Sequence, residues 1–144
     1  MRRVEFVVHG NPVPQGRPQF ARIGNRVTAY DPQRSRNYKQ LVRFWATQYL
    51  KKINGWRPFE TAVCVELIFY LPIPASWSKE RRMKAAEGVT RPIGRPDVDN
   101  LVKSVTDAVL GILWVDDSII TDLTAKKRYT ADLARVEIKV TEVQ

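Results

Sequence analysis

The spacing of apolar positions changes several times along the chain, and each change marks an element. Residues 3–9, RVEFVVH, read as a strand, and Asn11-Pro12-Val13-Pro14-Gln15-Gly16-Arg17-Pro18 then breaks all regular structure. Asp31-Pro32 is a helix start, with Asp as N-cap and Pro at the first helical position. Leu41, Trp45, Tyr49 and Ile53 recur every four residues, with Val42 and Phe44 beside them, which predicts a helix over 31–53 with that stripe facing a core. Asn54-Gly55 ends it. Residues 61–71, TAVCVELIFYL, form a strand with Val63, Val65, Leu67 and Phe69 on one face and Cys64, Glu66, Ile68 and Tyr70 on the other. Both faces are largely apolar, so this strand is expected at the centre of a sheet, covered on both sides, with Cys64 a core filler.

Residues 72–96 are a long connection in which Ser78 followed by 80–87 predicts a short helix rich in Arg81, Arg82 and Lys84. A connection of this length in so small a domain is usually functional or mobile. Asp97 or Asp99 then opens a helix to about 113. Its stripe of Leu101, Val105, Ala108 and Ile112 is predicted to be buried, with Asn100, Lys103 and Asp107 opposite. Residues 118–129 and 133–143 read as strands, and Thr130-Ala131-Asp132 between them as a hairpin turn. The expected fold is α+β: one domain over 1–144, a mixed sheet with a C-terminal β-hairpin and two main helices packed on it.

Composition narrows the chemistry. One cysteine, Cys64, and one histidine, His9, exclude a Cys/His zinc site within the chain and leave little room for a Cys–His pair. Any metal is then held mainly by oxygen, which favours Mg²⁺ or Mn²⁺ over zinc. The net charge of +9 suits a polyanionic partner. No apolar run approaches the ~20 residues of a membrane span. Met1-Arg2-Arg3-Val4-Glu5 leads into no apolar signal segment, so a cytoplasmic protein is expected.

The segment Arg95-Pro-Asp-Val-Asp-Asn-Leu-Val-Lys103 places two carboxylates two residues apart where a loop enters a helix, and Trp114-Val-Asp116-Asp117-Ser118 adds a second acidic pair before a strand. Phosphodiester hydrolysis needs an activated water, in-line geometry and neutralisation of developing charge, which divalent ions held by a few carboxylates supply. A nearby lysine such as Lys103 can orient a phosphate. Plainer readings stand beside this one. Asp97 or Asp99 serves equally as an N-cap, worth ~1 kcal/mol. Asp99 and Lys103 make an i,i+4 ion pair, and Asp116-Asp117 a turn.

The stretch over 95–120, R-P-D-V-D-N-L-V-K-S-V-T-D-A-V-L-G-I-L-W-V-D-D-S-I-I, resembles the signature of the RusA family of Holliday junction resolvases, P-D-x-D-N-L-x-K-x-x-x-D-A-L followed by D-D-x-x-I or -V. Val109 stands where Leu is usual. Pro12-Val-Pro-Gln-Gly-Arg-Pro18 is similar to the opening of one branch of that family. The resemblance implies a small homodimer that binds four-way DNA junctions by shape and makes paired symmetric nicks with Mg²⁺ or Mn²⁺. It implies Asp97, Asp99 and Asp117 as metal-binding carboxylates, Lys103 as the essential lysine and Asp116 as an accessory acid. Asp107 also belongs to the pattern, and its spacing from Lys103 suggests a pair with that side chain.

Chain geometry constrains this site. A helix from Asp99 to Leu113 is about 21 Å long at ~1.5 Å per residue, whereas the step from Leu113 to Asp117 spans at most ~14 Å. Three routes to convergence stay open: the helix ends near Gly111 or before, it begins later than Asp99, or the site combines acids from two subunits.

Three basic groups surround these acids. Residues 10–39 carry Arg17, Arg22, Arg26, Arg34, Arg36 and Lys39 against Asp31 alone, with Phe20 and Tyr30 interleaved, and read as a flexible phosphate-binding arm. Arg81, Arg82, Lys84, Arg91 and Arg95 precede the acidic site, and Lys126-Lys127-Arg128 lies on a strand that could line the same surface. Trp114 fits a core position better than a junction wedge. No zinc finger or helix-turn-helix pattern is present, so recognition by backbone and deformability is expected. Two other classes compete with a junction endonuclease. One is a non-catalytic architectural DNA-binding protein. The other is a DxD glycosyltransferase, for which the chain is short and lacks a nucleotide-binding βα pattern.

Overall fold

The computed structural model describes residues 1–143. Its elements run β1 (Arg3–His9), β2 (Gln19–Ile23), β3 (Arg26–Tyr30), α1 (Gln33–Leu50), β4 (Val63–Pro72), α2 (Lys79–Ala86), α3 (Val98–Val109), β5 (Ile120–Thr130) and β6 (Arg135–Glu142). A single 3₁₀ turn, Asp117–Ile119, precedes β5.

Four strands form a mixed sheet in the order β1-β6-β4-β5, with β4 and β5 parallel and the other pairs antiparallel. Strand alternation puts Val4, Phe6, Val8, Val63, Val65, Leu67, Phe69, Val136, Ile138 and Val140 on one buried face. Helices α1 and α3 lie side by side and close this face, adding Val42, Ala46, Leu50, Leu101, Val105 and Val109 to one core. The fold is α+β, as the spacing predicts.

The expected C-terminal hairpin does not form. β4 lies between β5 and β6, so residues 131–134 cross the end of β4 instead of turning between neighbours. Two extended runs joined by a short turn look alike whether or not a third strand slots between them. β4 is central, but its second face is not covered by another layer. Glu66 there meets Lys139 at 3.5 Å, and the Arg135 guanidinium stands 4.0 Å over the Tyr70 ring. Charged residues on the flanking strands keep this face wet. Cys64 lies on it half-buried, and burial pushes its thiol up from the ordinary range.

Helix α1 is rotated from its expected setting. Its buried residues are Ser35, Tyr38, Val42, Ala46 and Leu50, while Phe44 and Trp45 are about half exposed. The apolar arc is wide enough for either setting, and small Ala46 at the contact lets the helix approach the sheet where Trp45 would hold it away. Tyr49, at the margin, stacks on Phe6 with ring centroids 5.0 Å apart. Ser78 caps α2 by accepting from the Arg81 amide, as its sequence implies.

Asp31 does not cap α1; the cap position is Pro32. The Asp31 carboxylate instead accepts from Gln15 Nε2 and from Lys39 Nζ, the latter at 2.7 Å. Lys39 also reaches Asp107 Oδ2 at 3.5 Å, so one ammonium group ties the start of α1 to α3. Asp107 therefore pairs with Lys39, and Lys103 is not its partner.

The lysine hydrogen bond, then that from Gln15, holds the Asp31 carboxyl below its ordinary value of 3.8. A depressed carboxylate contributes its stability above its unfolded-state value and loses it as pH falls through the folded one. Asp31→Asn is expected to cost about 1 kcal/mol at neutral pH. In denaturant unfolding, the difference from wild type should close as pH falls below 3.8.

Candidate active site

The N-terminus of α3 is held from three sides. Lys127 Nζ donates to Gly94 O and Pro96 O, each at 2.9 Å, and so fixes the loop that delivers Asp97. The Gln15 amide donates to Asn100 O at 2.9 Å, which brings the proline-rich segment alongside. Leu101 and Val105 anchor the first turns in the core. The Arg95–Pro96 peptide in this loop is cis.

Asp97 occupies the N-cap position of α3 but makes no side-chain cap bond. Asp99 Oδ1 accepts only the adjacent Asn100 amide, at 3.0 Å. Both residues are exposed. The capping alternative thus fails for Asp97, whose carboxylate has no partner among the described residues. The positive end of the helix dipole favours negative charge at this point. Among the described residues Asp99 and Lys103 form no ion pair; Lys103 stands exposed one turn along.

Asp97 opens onto a cleft of about 810 Å³ lined also by Gln15, Arg17, Arg34, Arg95 and Asn100, with Leu71 and Tyr129 among its apolar walls. Arg17, Arg22, Arg26, Arg82, Arg91 and Arg95 are exposed, and among the described residues none of them pairs with a carboxylate. Arg81 is engaged differently, with its guanidinium 3.6 Å over the Trp77 ring. Lys126 and Lys127 point to opposite faces because strand neighbours must. Lys126 is exposed on the open face, whereas Lys127 is half-buried under the α3 loop with two of its donors used. Lys127 is a support for the acidic loop and not the free phosphate contact its sequence context suggested.

The second acidic pair lies elsewhere. Helix α3 ends at Val109, and Gly111 at φ +85° turns the chain sharply, a conformation glycine adopts without strain. Arg43 Nη1 caps that end by donating to Ala108 O and Leu110 O at 3.1 and 3.2 Å. Trp114 is fully buried, a core residue, and its Nε1 donates to Asp117 Oδ1 at 2.7 Å. Asp116 accepts from the Ser118 hydroxyl at the mouth of the 3₁₀ turn. Phe59, just before β4, bridges Trp114, which sets this pair at the opposite end of β4 from the cleft.

The two pairs therefore stand at opposite ends of α3, about 18 Å apart along the axis of its 12 residues at ~1.5 Å each. The strand route agrees: Ile120 to Lys127 on β5 is about 23 Å at ~3.3 Å per residue. Among the described residues no group of three or more His, Cys, Asp or Glu side chains converges. The all-oxygen donors suit a hard divalent ion, but such an ion takes about six ligands and one chain brings only one carboxylate pair to each place. The early helix end does occur, and it does not bring Asp117 to Asp99.

Comparison with known proteins decides the family. The sequence model described as Endodeoxyribonuclease RusA matches residues 9–141, a span holding both acidic pairs and the cleft. The chain belongs to the RusA endodeoxyribonuclease family. It is also 37% identical over 142 residues to the uncharacterized protein YqaN of Bacillus subtilis (strain 168), covering 97% of this chain and 96% of that protein. Among the described residues of this RusA-family nuclease, no helix is long and apolar enough to cross a membrane.

Sequence reasoning missed Gln15 and Asn100 as cleft residues, Lys39 as a clasp and Arg43 as a helix cap. Each acts through a partner between 8 and 85 residues away in the chain, and local spacing carries no sign of that. If Lys127 supports the acidic loop, Lys127→Met costs about 1–2 kcal/mol in global stability. Its specific signature is faster amide hydrogen exchange at 97–101, well beyond the change elsewhere. Uniform exchange across the chain would show a merely general loss.

Proposed function

We propose that this protein is a Holliday junction resolvase, an endodeoxyribonuclease that makes paired symmetric nicks in four-way DNA junctions during recombination and repair in the cytoplasm. The reading is carried by one observation: the Asp97 carboxylate, which makes no cap bond, stands at the positive end of α3 in a basic cleft, with Asp99 exposed two residues on. Arg17, Arg34 and Arg95 neutralise the phosphates of an entering strand, and Lys103 meets the charge that develops at the attacked phosphorus. The cleft walls limit water to the side from which the nucleophile comes.

We further propose that a homodimer completes each site. Neither an early helix end nor a late helix start unites the acids, so the remaining route is Asp97 and Asp99 of one copy facing Asp116 and Asp117 of the other. Mg²⁺ or Mn²⁺ held between them supplies charge neutralisation and an activated water. Two such sites related by a two-fold axis match two opposed nicks on a junction of the same symmetry. The dispersed acids within one chain also favour a second reading, an architectural DNA-binding protein without catalysis.

Cleavage of a labelled synthetic four-way junction, with and without Mg²⁺ and beside linear duplex, separates the two readings. Asp97→Asn and Asp99→Asn are expected to lower the nicking rate by about 100-fold or more, as the loss of several kcal/mol of charge stabilisation requires, while junction binding persists. Absence of Mg²⁺-dependent cleavage by the unaltered protein favours the architectural reading.

Mixed dimers test the shared site. A heterodimer of one Asp97→Asn chain and one Asp117→Asn chain carries both lesions in one site and none in the other. It is expected to nick one strand at about half the wild-type rate, although each variant homodimer is inactive. Inactive heterodimers would place all the acids of a site on one chain.

A further inference from the structure

Strands β2 and β3 form a ribbon separate from the main sheet, in register from Gln19↔Tyr30 to Ile23↔Arg26 around Gly24-Asn25. Gly24 at φ +61° takes the first turn position that hairpins of this kind need. Both faces stand in solvent. Phe20 is 69% exposed, Ile23 70% and Val27 68%, whereas most large apolar residues of the chain are packed. An isolated two-stranded ribbon is marginal by itself, and three bare apolar side chains on it do nothing for its own stability.

Its base is firmly held. The Gly16 amide donates to the buried Ser35 hydroxyl at 2.8 Å, and Asp31 at the other foot is clasped by Lys39 at 2.7 Å. Arg17 and Gly16 at this base line the cleft that holds Asp97. From there each strand reaches about 17 Å outward at ~3.3 Å per residue. Residues 16–30 carry Arg17, Arg22 and Arg26 and no acidic residue.

The geometry points to an occupant that is both anionic and apolar. Resting on the resolvase reading above, we propose that the ribbon enters the branch point of the junction. There Phe20, with Val27 on the same ribbon face, inserts between bases at the crossover, while Arg22 on that face and Arg26 beside Ile23 on the other hold the flanking phosphates. Bases offer flat apolar faces between charged phosphates, which is the pairing this ribbon presents. In linear duplex those faces are already stacked and only the phosphates remain, so the ribbon discriminates branched from linear DNA. A second copy of the ribbon is the poorer occupant, because it brings the same three uncompensated arginines.

The test uses the full-length protein, without divalent metal to prevent cleavage. A four-way junction carrying 2-aminopurine beside the crossover is compared with a duplex of one arm. Wild type is expected to raise 2-aminopurine fluorescence on binding. Phe20→Ser is expected to abolish that rise and weaken junction binding about tenfold while leaving duplex binding unchanged. Arg22→Gln is expected to weaken both and to lower the salt slope by about one. If wild type binds the junction but gives no fluorescence rise, or if Phe20→Ser leaves junction binding unaltered, the wedge is overturned and the resolvase reading stands. If Phe20→Ser instead converts dimers to monomers in sedimentation, the apolar residues are a contact between copies and the proposal fails. If wild type shows no preference for the junction here and does not cleave it once Mg²⁺ is added, both readings fall together.

Discussion

Burial of one face of α3 is the constraint on which the site depends. Leu101, Val105, Ala108 and Val109 lock that helix against the sheet, and Ser104 is buried among them. A packed, straight helix is a rigid spacer. It fixes the axial separation of the two acidic pairs at about 18 Å, and no side-chain motion closes such a gap. Asp97 lines the basic cleft at one end, and the Asp116–Asp117 pair lies at the far end. Within one chain, the helix that orders both pairs also keeps them from meeting.

Placement of the acids follows from how each helix end is finished. At the start, Lys127 and the Gln15 amide bind backbone carbonyls, so the loop is secured without using the carboxylates of Asp97 or Asp99. At the other end, Arg43 satisfies the last carbonyls and buried Trp114 orients Asp117. The backbone is held by cations and amides, while Asp117 and Asp116 are each oriented through one carboxylate oxygen, by the Trp114 indole and the Ser118 hydroxyl. That division of labour is what a binding site built on rigid elements requires.

Charge is distributed to the same end. Lys39 is neutralised by Asp31 and Asp107, and Lys139 by Glu66, so these cations serve the fold. The arginines along the ribbon, the cleft and the 72–96 connection have no such partners among the described residues. Part of the excess of +9 is thereby concentrated around the cleft, beside the helix terminus that carries Asp97.

Local spacing alone determined much of this protein. It marks β1, β4, the Ser78-capped α2, the amphipathic stripe of α3 and both acidic pairs, because each depends on residues within one or two turns. The signature over 95–120 carried the family for the same reason. Tertiary structure decided the rest. That β4 separates β5 from β6, that α1 buries Ala46 and not Trp45, and that Lys127 serves a loop while Lys126 faces solvent are matters of which distant surface lies opposite. The ribbon was legible only as a basic arm, since neither of its faces is buried and so no apolar period betrays it. Whether four acids make one site or two is a question of direction in space, and a one-dimensional pattern fixes spacing along the chain but not the direction in which a packed helix carries its ends.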